Sequence, residues 1–577
     1  MGHRAAIRAA DRERTAEKPV TRFALAFLLL AITAHTAAAE TRRDMVESAD
    51  PRAAAIGRDI LRAGGGAADA AAAMAIALTS LEPQSAGIGG GGFLVYYAAH
   101  AKKVSALDGR ESAPAAAKPD RFLDKDGKPL PFPGAMLDAR SIGVPGLLRL
   151  AEEMHRRWGK LPWAAIVAPS QKIAADGFAL SPRVAKLLAE DTHLPQNPVA
   201  RALWYEADGS AKPAGATIVN PALAASLHMI ADKGAGAFYE GPIARDIVSA
   251  VANANPPGDL TAEDLRAYRV KERPVLCAPY RDTRVCGMGL PAGTSVVLEI
   301  LGLLEPFDLK THTADAEAWH LFAAASRLAY ADRIRFLGDP DFVKSPVAGL
   351  LDTAYLAARA KLIEPAHFEP GRVPPGEPAG QRSELWGDER PPEFPATSNI
   401  SVVDSDGNAA AMTVTIDSDF GSHVLADGFL LDNELDDFSF VPEDDGRPVA
   451  NRVEPGKRPL SAMSPTIVFD RSGALRLVVG SAGGPPIITD VAKAIVAVVD
   501  WRMSLKDALA LPNIDDRDIG PTELESSAPP ALAERLRAMG HTLRLWGRDS
   551  GLGGILVTKD GLEGATDPRR EGAALGD

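Results

Sequence analysis

A threonine standing between a segment that cannot order itself and a strand that must be buried constrains this chain more than any other feature. Residues 369–396 (EPGRVPPGEPAGQRSELWGDERPPEFPA) are polar and proline-laden, with no helical or strand period. Residues 397–404 (TSNISVVD), the turn SDGN and then AAAMTVTID read as a tight β-hairpin. Threonine is a good strand starter, and that alone accounts for Thr397. The position also offers a second use. If the chain were cut before Thr397, the new α-amine, titrating near pH ~8, would sit beside a hydroxyl that needs a base to become a nucleophile.

The first forty residues stand outside the fold. Arg4, Arg8, Arg12, Arg14, Lys18 and Arg22 precede an apolar run at 23–33 and then Ala37, Ala38 and Ala39, which together read as a secretory signal peptide over 1–39. The apolar run is about half the ~20 residues that a membrane span requires. No stable span is therefore expected after signal cleavage, and the mature protein is expected to be periplasmic or secreted. A net charge of −13 with no Lys/Arg cluster argues against nucleic acid as a partner. No H-E-x-x-H, C-x-x-C or His–carboxylate cluster occurs, so neither metal nor cofactor is expected. Cys277 and Cys286 are the two cysteines. With Arg281 and Asp282 as a two-residue turn they fall opposite each other on a hairpin, at a separation a disulfide can bridge. A cross-strand disulfide and two free thiols both fit, and both are structural.

Length alone suggests roughly three or four domains. Pro51 opens a helix that stops at Gly64, and an almost wholly apolar helix follows over 67–81. Strands are expected at 93–97, 104–108, 429–432 and through PTIVFDRSGALRLVVG, and long helices at 145–158, 314–336 and 487–501. Layered sheets with helices outside follow from this mixture. The run GIGGGG at 87–92 matches a dinucleotide fingerprint only formally, because it leads from a helix into a strand, the reverse of what a pyrophosphate site needs. GSAGG at 480–484 joins a strand to a helix, so it is either a tight turn or a pair of bare N–H groups for an oxyanion. The acidic run DNELDD at 432–437 reads as a solvated loop or as a receptor for an ammonium group.

Seven stretches in order, LEPQSAGIGGGGF, ALDGRESAPA, LGDPDFV, TSNISVVDSDGNAAAMTVT, FLLDNELDDFS, GKRPLSAMSPTIV and GSAGGPPIIT, resemble the γ-glutamyltransferase (glutathione hydrolase) family over nearly the whole mature chain. The resemblance implies an α+β fold, a four-layer αββα sandwich of the N-terminal-nucleophile hydrolase type. It implies a precursor that cuts itself into a large subunit, 40–396, and a small catalytic subunit, 397–577, which stay interwound. Thr397 would attack the γ-amide carbonyl with its own α-amine as base, and Thr415 would hydrogen-bond the nucleophile. Gly483 and Gly484 would hold the oxyanion. Arg110, helped by Ser461, would take the substrate α-carboxylate, and Glu434 and Asp437 its ammonium.

Three departures bear on specificity. Asp417 stands where the family usually has a head-group asparagine, and Ala462 where it has a second serine. The loop between Phe438 and Lys457 is short and lacks tyrosine, which favours water over an acceptor peptide. The expected reaction is cleavage of the γ-glutamyl amide of glutathione and related small molecules. The rivals are an acylase for glutaryl-type amides such as cephalosporin side chains, and an uncleaved periplasmic binding protein.

Overall fold

Residues 44–380, 382, 385–389, 396–547 and 550–577 are described by a computed structural model of the chain, so the expected signal peptide lies outside them. Residues 43–577 cluster as one unit rather than the several domains that length suggested. The strands used below are β1 (Met45–Ser48), β2 (Gly91–Ala98), β3 (Lys103–Gly109), β4 (Lys271–Arg273), β5 (Val275–Tyr280) and β6 (Thr283–Met288). They continue with β7 (Ser398–Val403), β8 (Ala409–Thr415), β9 (Thr466–Asp470), β10 (Leu475–Gly480), β11 (Gly553–Thr558), β12 (Gly561–Thr566) and β13 (Ala573–Gly576). One seven-stranded sheet has the order β13-β1-β7-β8-β2-β3-β4, and a six-stranded sheet has the order β12-β11-β10-β9-β6-β5. Neighbours within each are antiparallel.

Side-chain alternation builds the layers. On β2, Phe93, Val95 and Tyr97 join the core shared with the six-stranded sheet, while Leu94 and Tyr96 join a core of helices on the other face. On β8, Ala409 and Ala411 face the partner sheet, and Ala410, Met412 and Val414 face the helices. The Tyr97 and Phe469 rings meet across the gap with centroids 4.9 Å apart. Helices α1 (Pro51–Arg62), α2 (Ala67–Leu81) and α3 (Leu147–Trp158) cover the first sheet. Helices α4 (Thr294–Leu304), α5 (Ala316–Phe336) and α6 (Ile487–Val499) cover the second. The result is four layers, helix–sheet–sheet–helix.

Local signals explain where these helices begin. The Asp50 side chain accepts from the Arg52 N–H at 2.7 Å and Pro51 occupies the first turn. The Asp315 side chain likewise caps α5, which therefore starts two residues later than its apolar pattern suggested. The glycine run at 87–92 is a packing device: a Cβ on Gly90 would lie 2.0 Å from the Thr415 carbonyl oxygen. The cysteines form a disulfide, with Cys277 opposite Cys286 in the β5–β6 hairpin and Cα atoms 4.2 Å apart. Closing so short a loop is worth about 2–3 kcal/mol. Cys277→Ser should therefore lower the urea midpoint, and an unaltered midpoint would show that the cystine adds no stability.

Candidate functional site

Thr397 enters β7 at the end of the sandwich. Because Val414 lies opposite Ser398, Thr415 lies just beyond, next to Thr397. The two-residue period that turns Ala409 and Ala411 inward also turns Thr415 inward, and Thr397 lies in phase with the inward Val403. The Thr397 hydroxyl donates to Thr415 Oγ1 at 3.2 Å, and the Asp417 N–H donates to the same oxygen at 2.8 Å. Arg570 Nη1 donates to the Thr397 carbonyl at 2.9 Å. The N–H of Gly483 donates to the carbonyl oxygen of Ala396 at 3.0 Å. Gly483 has φ +115 and Gly484 φ +71, a backbone that turns between β10 and α6 in a region side chains disfavour. Thr397 itself has φ +97, a strained value for a β-branched residue, at the bond that would be cut.

A cleft opens here. Thr397, Thr415, Arg110, Asp417, Glu434, Asp437, Ser461 and Gly484 all line it, so eight of the nine residues picked from sequence converge on one space. The ninth, Gly483, stands beside the lining residue Gly484, with its N–H on the Ala396 carbonyl. Ser461 is held by its own N–H to the Pro291 carbonyl at 2.9 Å, and its hydroxyl accepts from the Met463 N–H at 3.1 Å.

The acidic run is not a solvated loop. Asp432, Asn433, Glu434 and Asp436 are buried, and only Asp437 is about a third exposed. Its strand is shorter than expected, Phe429–Leu430, because the chain then turns into a single 3₁₀ turn, Glu434–Asp437. Arg110, itself buried, is ion-paired with Glu434 and, at 2.5 Å, with Asp437 Oδ2. Burial opposes the Arg110 charge, but Glu434 and Asp437 outweigh it and keep the guanidinium protonated. The expected carboxylate and ammonium receptors thus partly neutralise one another. Burial pushes Glu434 and Asp436 well above the usual carboxylate range. It raises Asp417 to about 7, with Asp437 adding to the shift, and Asp432 to about 8. Glu434 is both an ion-pair partner and a group with a raised pKa. We read this as protons shared within one carboxyl cluster whose charge Arg110 only partly balances.

Other site residues escaped sequence reasoning. Asn451 donates to the Asp437 carbonyl at 2.8 Å and to Glu389 Oε1 at 2.5 Å, and accepts from the Leu460 N–H at 2.9 Å. It ties three segments of the cleft wall together. Tyr330, Arg333 and Ile334 from α5 line the cleft, with the Tyr330 hydroxyl on the Pro485 carbonyl at 2.7 Å. Their i, i+3, i+4 spacing was a readable signal for one helical face; Asn451, in an irregular loop, had none. Among the described residues no helix is long and apolar enough to cross a membrane.

Comparison with known proteins agrees with this geometry. The family model described as gamma-glutamyltranspeptidase matches residues 53–577. The chain is 36% identical over 546 residues to the glutathione hydrolase proenzyme of Escherichia coli (strain K12), covering 92% of this chain and 90% of that one. Among solved structures, cephalosporin acylase from Bacillus halodurans superposes with a TM-score of 0.79 at 25% identity, covering 93% of this chain and 96% of that chain. Helicobacter pylori gamma-glutamyltranspeptidase superposes with a TM-score of 0.54 at 32% identity, covering 57% and 94%. With a threonine pair, a glycine turn and an arginine–carboxylate cluster gathered at one end of a four-layer sandwich, the chain belongs to the γ-glutamyltranspeptidase family.

Proposed function

We propose that this chain is an exported proenzyme that cuts its own Ala396–Thr397 bond and then cleaves the γ-glutamyl amide of glutathione and related compounds. The observation that carries the reading is the Gly483 N–H on the carbonyl of Ala396, the residue before Thr397, whose hydroxyl Thr415 orients. In the precursor, Thr397 Oγ attacks that carbonyl, the negative charge develops on the oxygen facing Gly483, and the C–N bond breaks as nitrogen gains a proton. Water then hydrolyses the ester, leaving Ala396 as the end of the large subunit and a free α-amine on Thr397. In turnover this amine takes the hydroxyl proton as Oγ attacks the γ-carbonyl of substrate. The Gly483 and Gly484 N–H groups hold the oxyanion. The leaving amine departs with the proton, and water, or an acceptor amine, resolves the γ-glutamyl-Thr397 ester.

Arg110 with Ser461 would hold the substrate α-carboxylate, while Glu434 and Asp437 take the ammonium. Binding then exchanges one set of ion pairs for another and leaves no buried charge unpaired. Arg110→Ala should raise KM for glutathione by roughly 10- to 150-fold, the worth of a charge-assisted pair. An unaltered KM would remove Arg110 from the head-group site. Export over 1–39 and residence in the periplasm or medium belong to the same reading.

The rival acylase reading draws on the superposition with the B. halodurans enzyme. Four carboxyl residues, Glu389, Asp417, Glu434 and Asp437, line the cleft with three arginines, Arg110, Arg333 and Arg517; the carboxyl groups gathered at Arg110 suit an ammonium, which glutaryl groups lack. The deciding experiment measures glutamate released from glutathione, with and without a dipeptide acceptor, beside a glutaryl amide, and runs the protein on a denaturing gel. Glutamate release from a two-band protein supports the proposal. Glutaryl cleavage alone favours the acylase, and one band with no turnover favours a binding protein.

A further inference from the structure

Five groups that the proposed mechanism does not use form a buried hydrogen-bonded chain. His320 Nε2 lies 2.8 Å from the Glu364 carbonyl oxygen, and His320 Nδ1 lies 2.9 Å from His541 Nε2. His541 Nδ1 lies 2.9 Å from Thr522 Oγ1, which in turn lies 2.6 Å from Asp516 Oδ2. The four side chains are buried. Each link needs one proton, and the protons can be counted. The Glu364 carbonyl only accepts, so His320 carries hydrogen on Nε2 and, as a neutral ring, accepts at Nδ1. His541 must then donate from Nε2 and accept at Nδ1, which claims the single hydrogen of the Thr522 hydroxyl. The last link is left to Asp516, and an ionised carboxylate has nothing to donate. Two neutral rings and one hydroxyl bring three protons to four links, so the chain closes only with a fourth.

The segments joined in this way both line the cleft. His320 stands on α5, whose Tyr330, Arg333 and Ile334 form one wall, and Asp516 precedes Arg517 and Ile519 on another. We propose that the chain binds one proton at its Asp516 end and that this proton fastens the 516–519 wall to α5, a pH-sensitive positioning device for the cleft. Burial disfavours charge on either histidine and raises Asp516 to about 7, although Arg327 on α5 pulls Asp516 the other way. The Arg327 guanidinium itself donates to the carbonyls of Glu369 and Gly371 and stacks on Phe368. The other charges nearby are Asp515 and Asp518 beside Asp516, with Arg517 paired to Asp515 and Arg372 to Asp518, and Glu317 and His367 around His320. A cavity lined by Arg327, Asp516 and Thr522 lies at this end, where the proton can exchange. Once Asp516 ionises, the Thr522 hydroxyl cannot serve both neighbours and one link opens. The wall then keeps Ser326 Oγ on the Asp516 carbonyl, at 3.0 Å, but loses the side-chain tie to His541 and His320.

The test uses the full-length protein, matured as expressed, and its Asp516→Asn variant. An asparagine amide supplies the fourth proton at every pH, so the variant keeps the chain and removes its titration. The buried histidines are common to both proteins, so the Tm of Asp516→Asn minus that of wild type isolates Asp516. A carboxyl with a raised folded pKa contributes stability that is lost as pH climbs from its unfolded to its folded value. The difference should therefore grow by at least about 2 °C from pH 5 to 7.5 and level off above. The infrared difference between the two proteins at about pH 6 should also show the carbonyl band of a protonated carboxyl, without any unfolding. A His541→Phe background separates a chain from a lone buried acid. There Thr522 is free to donate to an ionised Asp516, so the same Tm difference should level off at least about half a pH unit lower. A flat difference, no carbonyl band, or a plateau that His541→Phe leaves in place would overturn the proposal.

A second readout concerns the cleft and rests on the γ-glutamyl activity proposed above. With γ-glutamyl-p-nitroanilide as probe, the substrate and the Thr397 amine titrate alike in wild type and Asp516→Asn, so the ratio of their KM values reports the wall. Wild-type KM should rise relative to the variant by at least about threefold between pH 6 and 8.5, as Arg517 and Ile519 lose their fixed positions. A constant ratio beside a clear Tm step overturns the positioning role and leaves the proton a structural one. A protein that never cleaves the probe refutes the activity reading, and the Tm and infrared results still decide whether the chain holds its proton.

Discussion

Thr397→Ala should yield a single uncut chain with no measurable turnover. In the proposed mechanism the hydroxyl that Thr415 orients attacks both the Ala396 carbonyl and the substrate, so its loss would remove two reactions at once. Removing a nucleophile from such a unit costs on the order of 10⁶ in kcat. Folding should survive, because alanine keeps the strand and the Gly483 N–H still meets the Ala396 carbonyl. The positive φ of residue 397 would persist and remain strained in the uncut chain. A denaturing gel and N-terminal sequencing of the wild-type small subunit check this directly. A small subunit beginning at any residue other than Thr397, or cleavage of the alanine variant at the wild-type rate, would assign the nucleophile elsewhere.

Gly483→Ala should slow maturation and turnover together. Its φ of +115 places an added Cβ in a region that alanine resists, so the turn must shift and carry its N–H off the carbonyl. Losing one oxyanion donor costs about 10²–10³ in kcat. KM should change little, since Arg110, Glu434 and Asp437 stand on other segments. The comparison is the half-time of self-cleavage in freshly purified precursor against kcat of the matured variant. If cleavage slows while kcat does not, the two reactions use different oxyanion sites, and the shared-donor mechanism fails.

Part of this site was legible in the chain itself. The hairpin at 397–415, the glycine turn at 480–484, the helix start at Asp50–Pro51 and the period-two strands are short-range features, set by sterics and hydrogen bonds within a few residues. Motif resemblance picked nine residues, and eight of them line one cleft. Local pattern could not say that DNELDD would be buried, because an acidic run looks solvated until a partner covers it. That partner, Arg110, is 327 residues from Asp437 in the chain.

What the sequence determined by itself, then, is the hairpin that starts at Thr397, the glycine turn after residue 480, the main helices and the chemistry offered at their ends. Tertiary structure alone decided three further things. It brought the end of β3 against the 3₁₀ turn after residue 430, so that Arg110 and the carboxyl cluster partly neutralise each other. It laid one face of α5 along the cleft, and it aimed the Gly483 N–H at the Ala396 carbonyl. The physical reason is common to all three. Periodicity and propensity act over a turn of helix or a strand pair, whereas charge pairing and proton sharing depend on which chain segments the stacked sheets bring to the same end of the sandwich.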